Sequence, residues 1–147
     1  MIDASVLLAF YLPAERYKTE VLALLEEATA GGLKLVVPTL ARYEVLNALS
    51  RAIRGLKSGQ RISLREAQEI LAAMDAIGLE QRDVANLEVD ILAITEEYQT
   101  SAYDAAYLAL AEQLGARLLT GDRRFFNAVR GAYRQVELVG DHEFRKG

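Results

Sequence analysis

Four acidic residues, widely separated in the sequence, occupy positions where the side chains of an α/β protein can meet, and they are Asp3, Glu44, Asp104 and Asp122. Asp3 and Asp122 each follow a short strand-like run, whereas Glu44 and Asp104 lie near the starts of helical runs. Ordinary structural explanations exist, since Asp3 and Asp122 can cap the next helix and Asp104 can share a capping box with Ser101. For Glu44 an exposed helix face is the alternative, although no Lys or Arg follows three or four residues later.

If these acids converge, their chemistry follows from their charge. Two carboxylates about 4 Å apart repel by roughly 4 kcal/mol at an effective dielectric constant near 20, and a divalent cation removes this cost. The sequence has no cysteine and a single histidine, His142, so such a cation must be held by oxygen ligands, which suits Mg²⁺ or Mn²⁺. The cation makes water easier to deprotonate and stabilises an attacked phosphodiester. Neighbouring hydroxyls can orient ligands or water, or cap helices instead; these are Ser5, Ser101 and Thr120.

The alternation of short β-like runs with longer helix-period runs predicts an α/β domain with a parallel sheet. Strands are predicted over residues 33–37, 117–120 and 135–139, with weaker support over 79–83. Helices are predicted over residues 4–12, 18–30, 42–53, 64–77, 87–98 and 102–114. Ligands of parallel sheets bind beyond the carboxyl ends of the strands, where all four acids can reach one rim. Only Met1 and Ile2 precede Asp3, so the first strand is either shorter than the usual ~5 residues or lacks its beginning.

The 147 residues and 52% apolar content predict one domain spanning residues 1–147. A net charge of −4 argues against nucleic-acid binding through the overall field. A local exception is the stretch from Val45 to Arg65, which lacks acidic residues and contains Arg51, Arg54, Lys57, Arg61 and Arg65. It is either a solvated face or a strip that contacts phosphates or a partner, with Arg51 and Arg54 as the candidates. Gly55 and Gly59 make one continuous helix through it unfavourable.

The absence of cysteine excludes disulfides and thiolate metal sites. The apolar runs are shorter than the roughly 18 to 20 residues that span a bilayer, and no segment has the pattern of a secretory signal. We therefore expect a cytoplasmic protein that does not contact the membrane.

Four short segments resemble the PIN domain, and most closely the VapC toxins of bacterial toxin–antitoxin pairs. They are IDASVLL at residues 2–8, PTLARYEVLNAL at residues 38–49, SAYDAAYLALA at residues 101–111 and LLTGDRRF at residues 118–125. The resemblance implies a three-layer fold with a parallel sheet of about five strands flanked by helices. It also implies a Mg²⁺- or Mn²⁺-dependent endoribonuclease acting on single-stranded RNA, a homodimer, and a small antitoxin that masks the site.

The same resemblance implies roles for the acids. Asp3 and Asp104 would be direct metal ligands, while Glu44 and Asp122 would complete the site and help to position the water. Products would then carry a 5′-phosphate and a 3′-hydroxyl, because water attacks rather than the ribose hydroxyl.

Other functions compete with this interpretation. An aspartate-led phosphatase would need a second Asp two residues after Asp3, where this sequence has Ser5. A non-catalytic binding module with the same fold would not need all of the acids. A nuclease acting on DNA is a further alternative, because the proposed site makes no demand on the 2′-hydroxyl, and matched RNA and DNA oligonucleotides would distinguish the two.

Overall fold

The computed structural model describes residues 1–12, 17–56, 59 and 61–141 of the chain. Its helices are α1 (Ala4–Tyr11), α2 (Lys18–Thr29), α3 (Ala41–Ile53), α4 (Leu64–Ala76), α5 (Glu88–Tyr98), α6 (Ala102–Leu114) and α7 (Arg123–Val129). Its strands are β1 (Val36–Pro38), β2 (Glu80–Arg82), β3 (Leu118–Thr120) and β4 (Val136–Leu138), and two short 3₁₀ helices span Ala85–Leu87 and Val139–Asp141. Lys57 and His142 lie outside the described residues.

The strands form two parallel pairs, β1 with β2 and β3 with β4, and the N-terminal segment joins them. Ile2 makes a parallel bridge to Leu119, closed by hydrogen bonds from Leu119 N–H to Met1 O (2.9 Å) and from Asp3 N–H to Leu119 O (3.1 Å). On its other side Ile2 N–H donates to Val36 O at 3.2 Å. Five chain segments therefore lie side by side, in the order β2, β1, N-terminal segment, β3, β4, which confirms the predicted α/β class.

The strands are shorter than predicted, at three residues each. β1 begins later than expected and includes Pro38, which was predicted to follow the strand. Pro38 lacks an N–H, but the next residue continues the ladder, since Thr39 N–H donates to Arg82 O at 2.9 Å. The weakly predicted strand exists as β2, with its burial limited by its position at the edge of the sheet.

Helix α6 forms the centre of the core. Every residue from Ala105 to Ala111 is buried, and the helix contacts α5 as well as β1 and β3. Four of those seven residues are alanine, whose small side chain lets neighbouring elements approach closely. Tyr103 and Leu114 share the spacing of the buried residues yet are exposed, because packing covers only the middle of the helix.

The arginines between Arg51 and Arg65 do not share a helix, as the glycines predicted. Arg51 lies in the last turn of α3, whereas Arg65 lies in α4, which begins after Ser63 with a capping box formed with Glu66. Gly55, just beyond α3, has φ +67°, a conformation that favours glycine. No helix among residues 1–12, 17–56 and 61–141 is long and apolar enough to cross a membrane.

Candidate active site

All four predicted acids line one pocket of about 660 Å³ at the carboxyl edge of the sheet. Asp3 and Asp122 are the residues directly before α1 and α7, while Glu44 and Asp104 lie in the first turns of α3 and α6. The starts of four helices thus supply the acidic lining; α1, α3 and α7 each follow a segment of the sheet, whereas α6 follows α5. The other lining residues are Ala4, Ser5, Leu8, Tyr43, Asn47, Ala48, Arg51 and Tyr103.

Asp3 is the buried acid of the pocket, with 6% of its surface exposed. Its Oδ1 accepts hydrogen bonds from Val6 N–H at 3.1 Å and from the Ser5 hydroxyl, so it does cap α1 as its position suggested. Burial raises the pKa of Asp3 to about 6, and the charge of Asp104 acts in the same direction, whereas the hydrogen bonds oppose the shift. Ionising this carboxyl therefore costs more than it does in water, and a nearby cation would offset that cost.

Two hydroxyls hold Asp3 in place and connect it to the end of β3. The Ser5 hydroxyl donates to Asp3 and accepts from Gly121 N–H at 2.8 Å. The buried Thr120 hydroxyl also bonds Asp3, and it accepts from Asp122 N–H at 2.9 Å. A Cβ at position 121 would lie 3.0 Å from Ser5 Oγ, so glycine is what allows the β3 turn to approach this closely.

Glu44 is half-buried and is held by Tyr107, which the sequence did not single out as a candidate site residue. The Tyr107 hydroxyl donates to Glu44 Oε2 at 2.7 Å, across 63 residues of sequence, and it also accepts from the Ala4 backbone. Burial raises the pKa of Glu44 despite this hydrogen bond, and the charges of Asp3 and Asp104 raise it further. Tyr107 is only 1% exposed, and burial together with the charge of Glu44 raises the pKa of its hydroxyl far above the ordinary value. The hydroxyl therefore keeps its proton and remains a donor.

Asp104 and Asp122 are each hydrogen-bonded at their own helix start through one oxygen. Asp104 Oδ2 accepts from the hydroxyls of Ser101 (2.7 Å) and Thr100 (3.2 Å). Asp122 Oδ1 accepts from Arg124 N–H (2.8 Å) and Phe125 N–H (3.0 Å). Within the described residues, the second oxygen of each carboxylate has no protein hydrogen bond, so both acids can cap a helix and still bind a ligand.

The acids share a pocket but are not drawn tightly together. In the part of the chain that the structure describes, no three acidic or histidine side chains are placed to hold one metal ion. The helix-start hydrogen bonds and mutual repulsion both favour this separation. The pocket provides the donor atoms that a hard cation prefers, because it combines four carboxylates, two of them with raised pKa. Among the described lining residues, only Arg51 carries a positive charge.

Arg51 and Arg54, paired in the sequence analysis, lie in different places. Arg51 lines the acidic pocket, on the same face of α3 as Glu44 and Asn47. Arg54 instead lines an apolar groove between α3 and α4, and its Nε donates to Ser50 O at 3.3 Å. The helical spacing from Glu44 was the signal that could have separated them.

Three tyrosines of the site were missed from the sequence. Tyr107 lies three residues after Asp104, a spacing that places both on adjoining parts of one helix face. Tyr43 and Tyr103 each directly precede a site acid, and both line the pocket.

Comparisons with known proteins agree with this architecture. The PIN domain family model matches residues 1–131. Ribonuclease VapC3 of Pyrobaculum aerophilum is 36% identical over 127 residues, which cover 84% of this chain and 89% of that protein. The crystal structure of PAE2754 from Pyrobaculum aerophilum superposes with a TM-score of 0.61 at 22% identity, covering 95% of this chain and 89% of that one, and this similarity supports the fold alone. The chain therefore belongs to the PIN domain family, with a VapC-type ribonuclease among its relatives.

Proposed function

We propose that this protein is a divalent-metal-dependent endoribonuclease that hydrolyses single-stranded RNA, with Asp3, Glu44, Asp104 and Asp122 as its active-site acids. The observation that carries the proposal is the meeting of these four acids, from four separate helix starts, in one pocket. Burial and neighbouring negative charge raise the pKa of Asp3 and of Glu44, which is the electrostatic condition that a bound cation relieves. The relationship to Ribonuclease VapC3 supports the choice of RNA.

The oxygen-only donor set favours Mg²⁺ or Mn²⁺ over zinc. Asp3 and Asp104 are the proposed direct ligands, and Glu44 and Asp122 complete the site. When bound, the cation makes water easier to deprotonate and offsets the negative charge that develops on the phosphate.

The protein's own groups position the reaction. Ser5 and Thr120 fix the orientation of the Asp3 carboxylate, and Tyr107 fixes that of Glu44. Glu44 and Asp122 orient the attacking water, and Glu44, with its raised pKa, is suited to accept a proton from it. The water oxygen bonds to phosphorus as the bond to the 3′ oxygen breaks, and the 3′ oxygen takes up a proton from solvent, so the products carry a 5′-phosphate and a 3′-hydroxyl.

In its biological setting we propose the toxin of a cytoplasmic toxin–antitoxin pair, built as a single domain, forming a homodimer and inhibited by a small antitoxin. Two exposed apolar features support protein partners. One is a groove of about 280 Å³ between α3 and α4, lined by apolar residues that include Leu46, Leu64 and Leu71. The other is the exposed pair Val89 and Leu92 on α5. Light scattering of the purified chain tests the dimer.

Cleavage of labelled, unstructured RNA with Mg²⁺, and again with chelator, tests the activity. Asp3→Asn and Asp104→Asn should each abolish cleavage while leaving the fold intact. Asp90→Asn, at an exposed acid of α5 outside the pocket, is the matched control and should cleave normally. Full activity in either site variant contradicts the proposal. A DNA oligonucleotide of the same sequence, cleaved as well as the RNA, would instead favour the DNA nuclease.

A further inference from the structure

Two exposed tyrosines stand beside the site acids. Tyr43 is 77% exposed and Tyr103 is 61% exposed, whereas the other five tyrosines are buried or half-buried. Both line the acidic pocket, from the first turns of α3 and α6. Tyr43 directly precedes Glu44, and Tyr103 directly precedes Asp104. One aromatic ring therefore accompanies an acid on each of two helices that border the pocket.

The fold makes little use of these rings. Neither tyrosine forms a hydrogen bond, an ion pair or a ring contact within the described residues. By contrast, Tyr98 and Tyr133 pack edge to face with ring centroids 5.3 Å apart, and Tyr107 is buried and hydrogen-bonded. An aromatic ring stabilises a protein mainly through the area that it buries, so two rings left in solvent contribute little to folding. Their position beside the acids calls for a ligand instead.

The chemistry of the pocket indicates which ligand this is. The acids mark where a phosphodiester must lie for hydrolysis, and the groups attached to that phosphodiester are nucleosides. Aromatic side chains bind the faces of unpaired bases, with little dependence on base identity. Arg51, two helical turns beyond Glu44 on the same lining face, supplies a cation for a neighbouring phosphate. Four carboxylates line this pocket, so it is poorly suited to an apolar protein segment. The apolar groove between α3 and α4 would accommodate such a segment better.

We propose that Tyr43 and Tyr103 are stacking platforms for the unpaired bases on either side of the cleaved phosphodiester. The inference rests on the proposed ribonuclease function and deepens it, because it names the residues that bind the bases of the single-stranded substrate. In a duplex the base faces are covered by neighbouring base pairs, so both rings would lose their ligands. Single-stranded segments and loops therefore bind, and continuous helices do not.

The test compares two substitutions at each tyrosine. Tyr43→Leu and Tyr103→Leu remove the ring and retain an apolar side chain that is favourable in a helix, whereas Tyr43→Phe and Tyr103→Phe retain the ring and remove the hydroxyl. KM and kcat are measured on an unstructured RNA with Mg²⁺, and thermal melting checks the fold. Each leucine variant should raise KM about 5- to 100-fold, as loss of one stacked base predicts, while each phenylalanine variant, which retains the ring, should reverse most of that increase.

A binding measurement distinguishes failure of this inference from failure of the proposed function. In an Asp104→Asn background, RNA carrying 2-aminopurine should change its fluorescence on binding, and the leucine substitutions should remove that change. Replacing the base by an abasic site should weaken binding to the tyrosine protein but not weaken it further in the matching leucine variant. Leucine variants that bind and cleave like wild type overturn the stacking role and assign the rings to a protein partner. Absence of cleavage by the wild-type protein, by contrast, counts against the ribonuclease, and the binding assay still decides the stacking.

Discussion

Asp3 should make the metal-free protein less stable as the pH rises from about pH 4 to about pH 7. Burial raises its pKa from 3.8 to about 6, so the folded protein binds this proton more tightly than the unfolded chain does. Below pH 3.8 Asp3 is protonated in both states, so it does not change how the free energy of unfolding depends on pH. Between pH 3.8 and about 6 only the folded state retains the proton, so the free energy of unfolding decreases as the pH rises. A shift of roughly two pKa units corresponds to about 3 kcal/mol of lost stability above the window.

The assay is urea unfolding at a series of pH values with chelator present, for the wild-type protein and for Asp3→Asn. Asparagine keeps the capping geometry and cannot titrate, so the difference between the two proteins isolates Asp3. Glu44, whose pKa is also raised, contributes in the same direction, while Glu66, Asp75 and Glu80, whose pKa values are lowered, contribute in the opposite one. These contributions largely cancel in the difference, which should grow by about 3 kcal/mol in favour of the variant.

A difference that stays constant over this range, or that moves in favour of the wild-type protein, would refute the reasoning. Metal ion provides a second check at neutral pH, because a ligand that binds only the folded state stabilises it. Millimolar Mg²⁺ should raise the melting temperature of the wild-type protein and have a much smaller effect on Asp3→Asn.

Three further predictions concern the surroundings of the acids. Tyr107→Phe removes only the hydroxyl that donates to Glu44, so we expect it to lower the free energy of unfolding by about 1 to 3 kcal/mol and to weaken Mg²⁺ binding measured by calorimetry. Unchanged metal affinity would limit Tyr107 to a packing role. Gly121→Ala places a Cβ 3.0 Å from Ser5 Oγ, so the cleavage rate should fall and thermal melting should show a free energy of unfolding lower by about 1 to 3 kcal/mol. A fully active variant would show that Ser5 can move without affecting catalysis. Arg51→Gln should reduce the slope of the logarithm of the RNA-binding constant against the logarithm of the salt concentration by about one, whereas Arg54→Gln, outside the pocket, should leave that slope unchanged. Equal slopes in both variants would show that Arg51 is a solvated surface residue that does not contact phosphate.

The fold class and the family could be predicted from the sequence because their signals are local. Helical spacing and short β-branched or leucine-rich runs predicted α1 to α6 and all four strands, with bounds that differ by a few residues. Only two residues precede Asp3, and in the structure this N-terminal segment contributes a single bridge at Ile2. The four motifs indicated the PIN domain, which the comparison confirms. The roles of the acids, the metal ion, the dimer and the antitoxin remain predictions.

What the sequence by itself determined was the kind of side chain available at each helix start, because a turn residue and the first turn of a helix are encoded within a few positions. Tertiary structure alone decided which of these side chains share a pocket and that Tyr107 reaches Glu44 across 63 residues. It also decided that Tyr43 and Tyr103 remain in solvent while Val45 and Ala105, two residues further along the same helices, are buried. The physical reason is that burial and long-range hydrogen bonds depend on how distant elements pack, and periodicity within one helix carries no information about its neighbours.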